Sequence, residues 1–113
     1  MAANEELAER VRRALARRQK VEEKRMFGGI AFMANGKMCV TVGSKGLMCR
    51  IDPAWHKDAL RKDGCSTVVM RGRDCIGWMR IEPEALREAR VLREWLKIAL
   101  AYNKAASVRG TGS

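Results

Sequence analysis

The chain has 113 residues, 47% of them hydrophobic and 32% charged, and a formal net charge of +10. That length suits one domain with a buried core, and no apolar run is long enough to cross a bilayer. The acidic start, Asn4-Glu5-Glu6, is unlike a secretion signal, so a cytoplasmic protein is expected.

The charge excess is spread out. Residues 1–25 hold eight basic and five acidic side chains, residues 26–81 nine and four, and residues 82–113 six and four. Such a dispersed field attracts polyanions without marking a specific nucleic-acid site. Four cysteines, Cys39, Cys49, Cys65 and Cys75, lack the paired spacing of a zinc site, and His56 is the one histidine. The cysteines are expected as small apolar fillers, with no metal and no cofactor.

In chain order, a first helix is predicted from Glu5 to about Gln19, capped by Asn4, with Leu7, Ala8, Val11, Ala14 and Leu15 on one stripe. Arg10, Arg13 and Arg17 fall on another face. Strands follow at about 25–34, 37–43 and 46–51. Asn35-Gly36 separates two apolar runs, and both residues tolerate the positive φ of a two-residue hairpin turn. That turn pairs Met33 with Met38, Ala31 with Val40 and Gly29 with Val42. A Ser44-Lys45 turn then pairs Val42 with Leu47 and Val40 with Cys49.

This register puts Phe27, Gly29, Ala31, Met33, Met38, Val40, Val42, Leu47, Cys49 and Ile51 on the core face. Gly28-Gly29 reads as a bulge, with Gly29 letting a helix approach. The other face carries Met26, Gly28, Ile30, Phe32, Cys39, Thr41, Met48 and Arg50. It is too apolar for a wet surface, so either a helix or another molecule covers it.

Asp52-Pro53 caps and opens a second helix that Gly64 ends. Strands at about 65–71 and 75–81 are joined by Gly72-Arg73-Asp74. Glu82-Pro83 opens a last helix to about Ala105, its inner side lined by Leu86, Ala89, Leu92, Trp95, Leu96, Ala99 and Tyr102. Residues 1–106 are expected to form one domain and 107–113 a flexible Gly/Ser-rich tail. The order α-β-β-β-α-β-β-α predicts an α+β two-layer fold, an antiparallel sheet packed with helices.

Met26-Phe27-Gly28-Gly29 followed by Asn35-Gly36 resembles the N-terminal domain family of TfoX/Sxy, the bacterial competence regulators. Leu47-Met48-Cys49-Arg50-Ile51, Asp52-Pro53, Gly72-Arg73, Gly77-Trp78-Met79 and the Leu92/Trp95/Leu96/Ala99 helix extend the resemblance from about Leu7 to Tyr102. The family often has an aromatic where Cys39 stands. The resemblance implies a secretion-chaperone-like two-layer fold. It also implies a stand-alone regulatory module, because the chain ends before the second, helical domain of the longer regulators.

The candidate sites each have an ordinary structural alternative. Gly28-Gly29 lacks the further glycines and following helix of a phosphate loop. His56, in a short helix beside Trp55, Lys57 and Asp58, is expected at the surface, with no nucleophile or orienting acid around it. No acid/base pair emerges, so no enzyme is expected.

Arg71-Gly72-Arg73 is either an anion contact or a solvated hairpin tip. Arg10, Arg13 and Arg17 are either a phosphate-tracking row or a wet helix face. Ile30, Phe32, Cys39 and Met48 are the candidate protein interface, for self-association or for another protein. On that reading Phe32→Asp breaks association and Arg13→Asp does not. The alternative is a basic protein that binds nucleic acid without sequence preference.

Overall fold

The computed structural model describes residues 5–16, 21–26 and 29–111. Helix α1 (Glu5–Leu15) is followed by β1 (Val21–Met26), β2 (Gly29–Ala34), β3 (Lys37–Gly43) and β4 (Gly46–Arg50). A 3-10 turn (Pro53–Trp55) leads into the short α2 (His56–Ala59). Then come β5 (Cys65–Met70), β6 (Arg73–Ile81), a second 3-10 turn (Pro83–Leu86) and α3 (Ala89–Thr111). The six strands form one antiparallel sheet in the order β1-β2-β3-β4-β6-β5. The fold is α+β, as expected, with one strand more than the sequence reading.

The extra strand is β1. Its Val-Glu-Glu-Lys-Arg-Met sequence shows no apolar alternation, because it is an edge strand, paired along its length with β2 and otherwise open to solvent and to α1. Glu23 and Arg25 sit opposite Phe32 and Ile30 and reach α1. Arg12 grips Glu23 through two contacts, at 2.5 and 2.8 Å, and Arg25 lies 3.5 Å from Glu5. Those bonds hold the Glu23 carboxyl below the usual carboxylate range. Met26 pairs with Gly29, so Gly29 begins β2 rather than lying inside the first strand. Asn4, Arg17, Phe27 and Gly28 lie outside the described residues.

The Asn35-Gly36 turn forms as predicted, with φ of 54° and 77°, and Met33 pairs with Met38. One step on, the register departs from expectation. Phe32 faces Val40 and Ile30 faces Val42, so Cys39 is an extra residue opposite the Phe32–Met33 step. The bulge is therefore at Cys39, not at Gly29. It turns Cys39 into the core and flips β2 relative to the predicted pairing.

Ile30 and Phe32, expected on the outer face, are each 1% exposed in the main core cluster, and Cys39 is 2% exposed beside them. Ala31 and Met33 alternate to the outer face. Gly29 is required for another reason than a helix: a Cβ there would lie 2.6 Å from the Val42 carbonyl oxygen of the neighbouring strand. The β3–β4 pairing of Val42 with Leu47 and Val40 with Cys49 is as expected.

The core lies between one sheet face and the helices. Leu7, Ala8, Val11 and Leu15 of α1 join Leu92, Trp95, Leu96 and Ala99 of α3 over Ile30, Phe32, Val40, Val42, Leu47, Cys49, Met79 and Ile81. The last helix is not continuous from Pro83. After the 3-10 turn ending at Leu86 the chain is irregular at Arg87 and Glu88, and α3 starts at Ala89. It continues to Thr111, so the backbone of 107–111, expected as a tail, is helical.

Asn103, 4% exposed, donates to the Lys37 carbonyl at 3.4 Å and accepts from the Asn35 amide at 3.1 Å. The helix thereby clamps the Asn-Gly hairpin.

Asp52 caps the first 3-10 turn as predicted, accepting from the Ala54 N–H at 2.9 Å. His56 corrects the sequence reading. It is 3% exposed, not a surface residue. Its Nδ1 accepts from the Gly77 N–H at 3.0 Å, and its Nε2 lies 2.9 Å from Thr67 Oγ1. With Nδ1 accepting, the ring proton is on Nε2, which donates to Thr67. Ile76, Gly77 and Trp78 form an irregular insertion in β6, between Cys75 opposite Val68 and Met79 opposite Thr67. Gly77 has φ 95° there. His56 ties this distortion to both strands of the hairpin.

Candidate functional site: an open groove on the sheet

Cross-strand pairing builds a row on the face away from the helices. Thr41 pairs with Met48, Met48 with Arg80, and Arg50 with Trp78. Because side chains alternate, these residues share one face while Leu47, Cys49, Met79 and Ile81 enter the core. The β6 distortion bends the hairpin, and Met70 and Cys75 wall the same groove as Met38, Met48, Trp78 and Arg80. The groove measures about 510 Å³, and the turn from Gly43 to Gly46 also lines it. No residue of α1, α2 or α3 lines it.

Methionine gives the groove an adaptable apolar floor. Among the described residues Met79 is fully buried in the core, whereas Met38 and Met48 are half-buried and Met70 is 55% exposed. Arg50 sits between two aromatic rings, 5.9 Å from the centre of Trp78 and 5.7 Å from that of Tyr102. Such cation–π contacts fix a guanidinium without neutralising it.

The charges divide only in part between the two sides, since Arg10, Arg87, Arg93 and Lys97 on the helical side have no carboxylate partner among the described residues. Arg12, Arg13, Arg25, Lys62 and Arg90 each pair with a carboxylate. Among the described residues, Lys45, Arg50 and Arg80 have no carboxylate partner, and no acidic residue lines the groove.

Of the predicted interface, Met48 alone lies in the groove; Ile30, Phe32 and Cys39 are core. The predicted arginines do not form one site. Arg10 bonds the Arg87 carbonyl at 3.4 Å and Arg13 pairs with Glu9 at 3.3 Å. Arg71 and Arg73 belong to the β5–β6 hairpin, whose two-residue turn is Arg71-Gly72 (φ 52° and 76°) rather than Gly72-Arg73-Asp74. Neither is paired with Asp74 among the described residues. Arg25 and Glu23 anchor α1 to β1, and β5 is at the far edge of the sheet. The two basic groups thus belong to opposite ends of the sheet, one on the helix tied to β1 and the other on the β5–β6 hairpin.

Residues 13–102 match the family model for the TfoX N-terminal domain. That span covers most of the chain and every groove residue. The chain belongs to the TfoX N-terminal domain family. No curated protein and no solved structure matches it. Within this TfoX N-terminal domain, the Asn35-Gly36 turn and Gly29 are scaffold: one is clamped by Asn103, the other abuts Val42. No described helix is long and apolar enough to cross a membrane.

The described residues contain no group of three or more His, Cys, Asp or Glu placed to hold a metal. All four cysteines are free thiols. Burial pushes Cys39 up from an ordinary value of 9.0 to about 12, Cys65 to about 11, and Cys49 well above the ordinary range. The thiolate is the nucleophile, so these groups are unreactive at neutral pH.

Iodoacetamide at pH 8 should therefore leave Cys39 and Cys49 unmodified in the folded protein, with full labelling in urea, read by peptide mass spectrometry. Rapid labelling of either in the native state would contradict their placement. The folded state holds these thiol protons more tightly than the unfolded chain. Stability is accordingly retained below pH 9 and falls as pH rises from there toward about 12.

Proposed function

We propose that this TfoX N-terminal domain is a non-enzymatic regulatory module that binds a protein partner through the open groove. The supporting observation is the asymmetry of the sheet. One face carries all the packed helices. The other presents methionines, a tryptophan and unneutralised cations in a concavity. Membership of the family favours a regulatory role of the competence-regulator kind. Exposed apolar concavities with polar rims suit protein recognition.

The nucleic-acid alternative has less support, since its two arginine groups lie at opposite sheet edges and one of them is engaged in internal bonds. Retention on DNA that vanishes at moderate salt would fit the +10 charge without a dedicated site.

Affinity capture from cells of the source organism tests the reading. Wild type and Arg13→Asp should retain the same specific proteins, and Met48→Asp should lose them while keeping the native circular dichroism spectrum. Equal capture by all three variants would end the proposal.

A further inference from the structure

Resting on the groove as an interface, we infer that its occupant is an amphipathic α-helix with an acidic rim, contributed by another protein. The first observation is size. About 510 Å³ is the volume of a compact ligand pocket and holds the few anchor side chains that one helix face presents at i, i+3, i+4 and i+7. The second is the lining. Met38, Met48 and Met70 with Trp78 offer flexible apolar contact from three different strands and a hairpin wall, which suits a rounded helix ridge better than a flat strand.

The third observation is charge. Lys45 and Arg80 line the groove, and Arg73, opposite Met70, alternates onto the same face at the hairpin tip. Asp74 alternates to the other face. None of these three cations pairs with a carboxylate among the described residues, whereas on the helical side Arg12, Arg13, Arg61 and Arg90 do and Arg10, Arg87 and Arg93 do not. A partner with carboxylates flanking its apolar ridge meets them as counterions. A basic helix is repelled, and a neutral one leaves desolvated cations unpaired at the rim.

An edge-pairing peptide on β5 would use a different surface. So would a second copy joined through Val69 and Ile76, which are 54% and 55% exposed. Neither contacts Lys45 or Met48.

A displayed library of helical peptides about 14 residues long, with randomised apolar and flanking positions, tests this. The probe protein is the full chain. Selected sequences should be net acidic with the helical anchor spacing, and their binding should fall steeply with salt. Met48→Asp should abolish binding. Arg80→Glu, a surface change that leaves the core intact, should weaken it about tenfold. Peptides with the facing Glu changed to Lys should recover binding to Arg80→Glu but not to wild type.

Enrichment of neutral, basic or extended peptides would overturn the inference. So would indifference to Arg80→Glu, or uptake of a fatty acid with no peptide selected. If no acidic helix binds while Met48→Asp still loses its cellular partner, the interface reading survives and only the stated partner chemistry is wrong.

Discussion

Phe32→Ala will cost about 3–5 kcal/mol of folding stability, and Phe32→Asp will leave the chain unfolded. Phe32 is 1% exposed on the core side of β2, opposite Val40 and Glu23. Truncation opens a cavity beneath α1, where Leu7, Val11 and Leu15 belong to the same cluster. Aspartate there strands a charge with no partner. A domain of this size has a total stability of roughly 5–15 kcal/mol, so the loss is decisive. Urea denaturation monitored by tryptophan fluorescence reads it as a lower midpoint at constant slope.

Phe32→Leu serves as the control and should cost about 1 kcal/mol. If Phe32→Ala were as stable as wild type and altered only self-association, Phe32 would be a surface residue and the Cys39 bulge would be misplaced.

His56→Ala will be the second large loss, about 2–4 kcal/mol. Two terms add: a cavity under the sheet, and two polar groups that lose a partner, the Gly77 N–H and the Thr67 hydroxyl. The Gly77 amide is the more serious, because φ 95° at that residue takes it out of the regular β-ladder. Asparagine can present an oxygen where Nδ1 accepts, so His56→Asn should recover part of the loss.

A cycle with Thr67→Val should show a coupling of about 1 kcal/mol. The Gly77 amide should exchange with deuterium faster in His56→Ala than in wild type. Additive effects of His56→Ala and Thr67→Val, with unchanged Gly77 exchange, would show that the observed bonds do not couple the two strands. Since Trp78 follows Gly77 and lines the groove, the same variant should weaken partner binding without touching the partner.

Much of the scaffold was legible residue by residue. Asn35-Gly36 announces its turn because both residues tolerate positive φ. Asp52-Pro53 announces a capped helical entry because a carboxylate can accept from a free N–H. Ser44-Lys45 set the β3–β4 register, and the Leu92-to-Ala99 periodicity marked the packed face of α3. By contrast, β1 carries no alternation to read, since it is an edge strand and the two charged side chains on its helix side, Glu23 and Arg25, meet α1 instead of an apolar core. His56 looks like any polar residue in a short helix, because its partners are 11 and 21 positions away. Met48 was placed on the correct face. Met38 was not, because the residue that changes its parity is the neighbouring Cys39, which has no local bulge signature.

Local chemistry dictated most of the elements and the Asn35-Gly36 and Ser44-Lys45 turns: backbone preferences and capping act within a few residues, and the chain encodes them directly. Which side of β2 is buried was decided only in the packed molecule, because a single inserted residue reverses a two-residue period and nothing nearby in sequence favours one parity. The groove arose the same way. Its walls come from β3, β4 and the β5–β6 hairpin, joined by strand pairing, with the hairpin itself tied by a buried histidine whose partners lie 11 and 21 positions away.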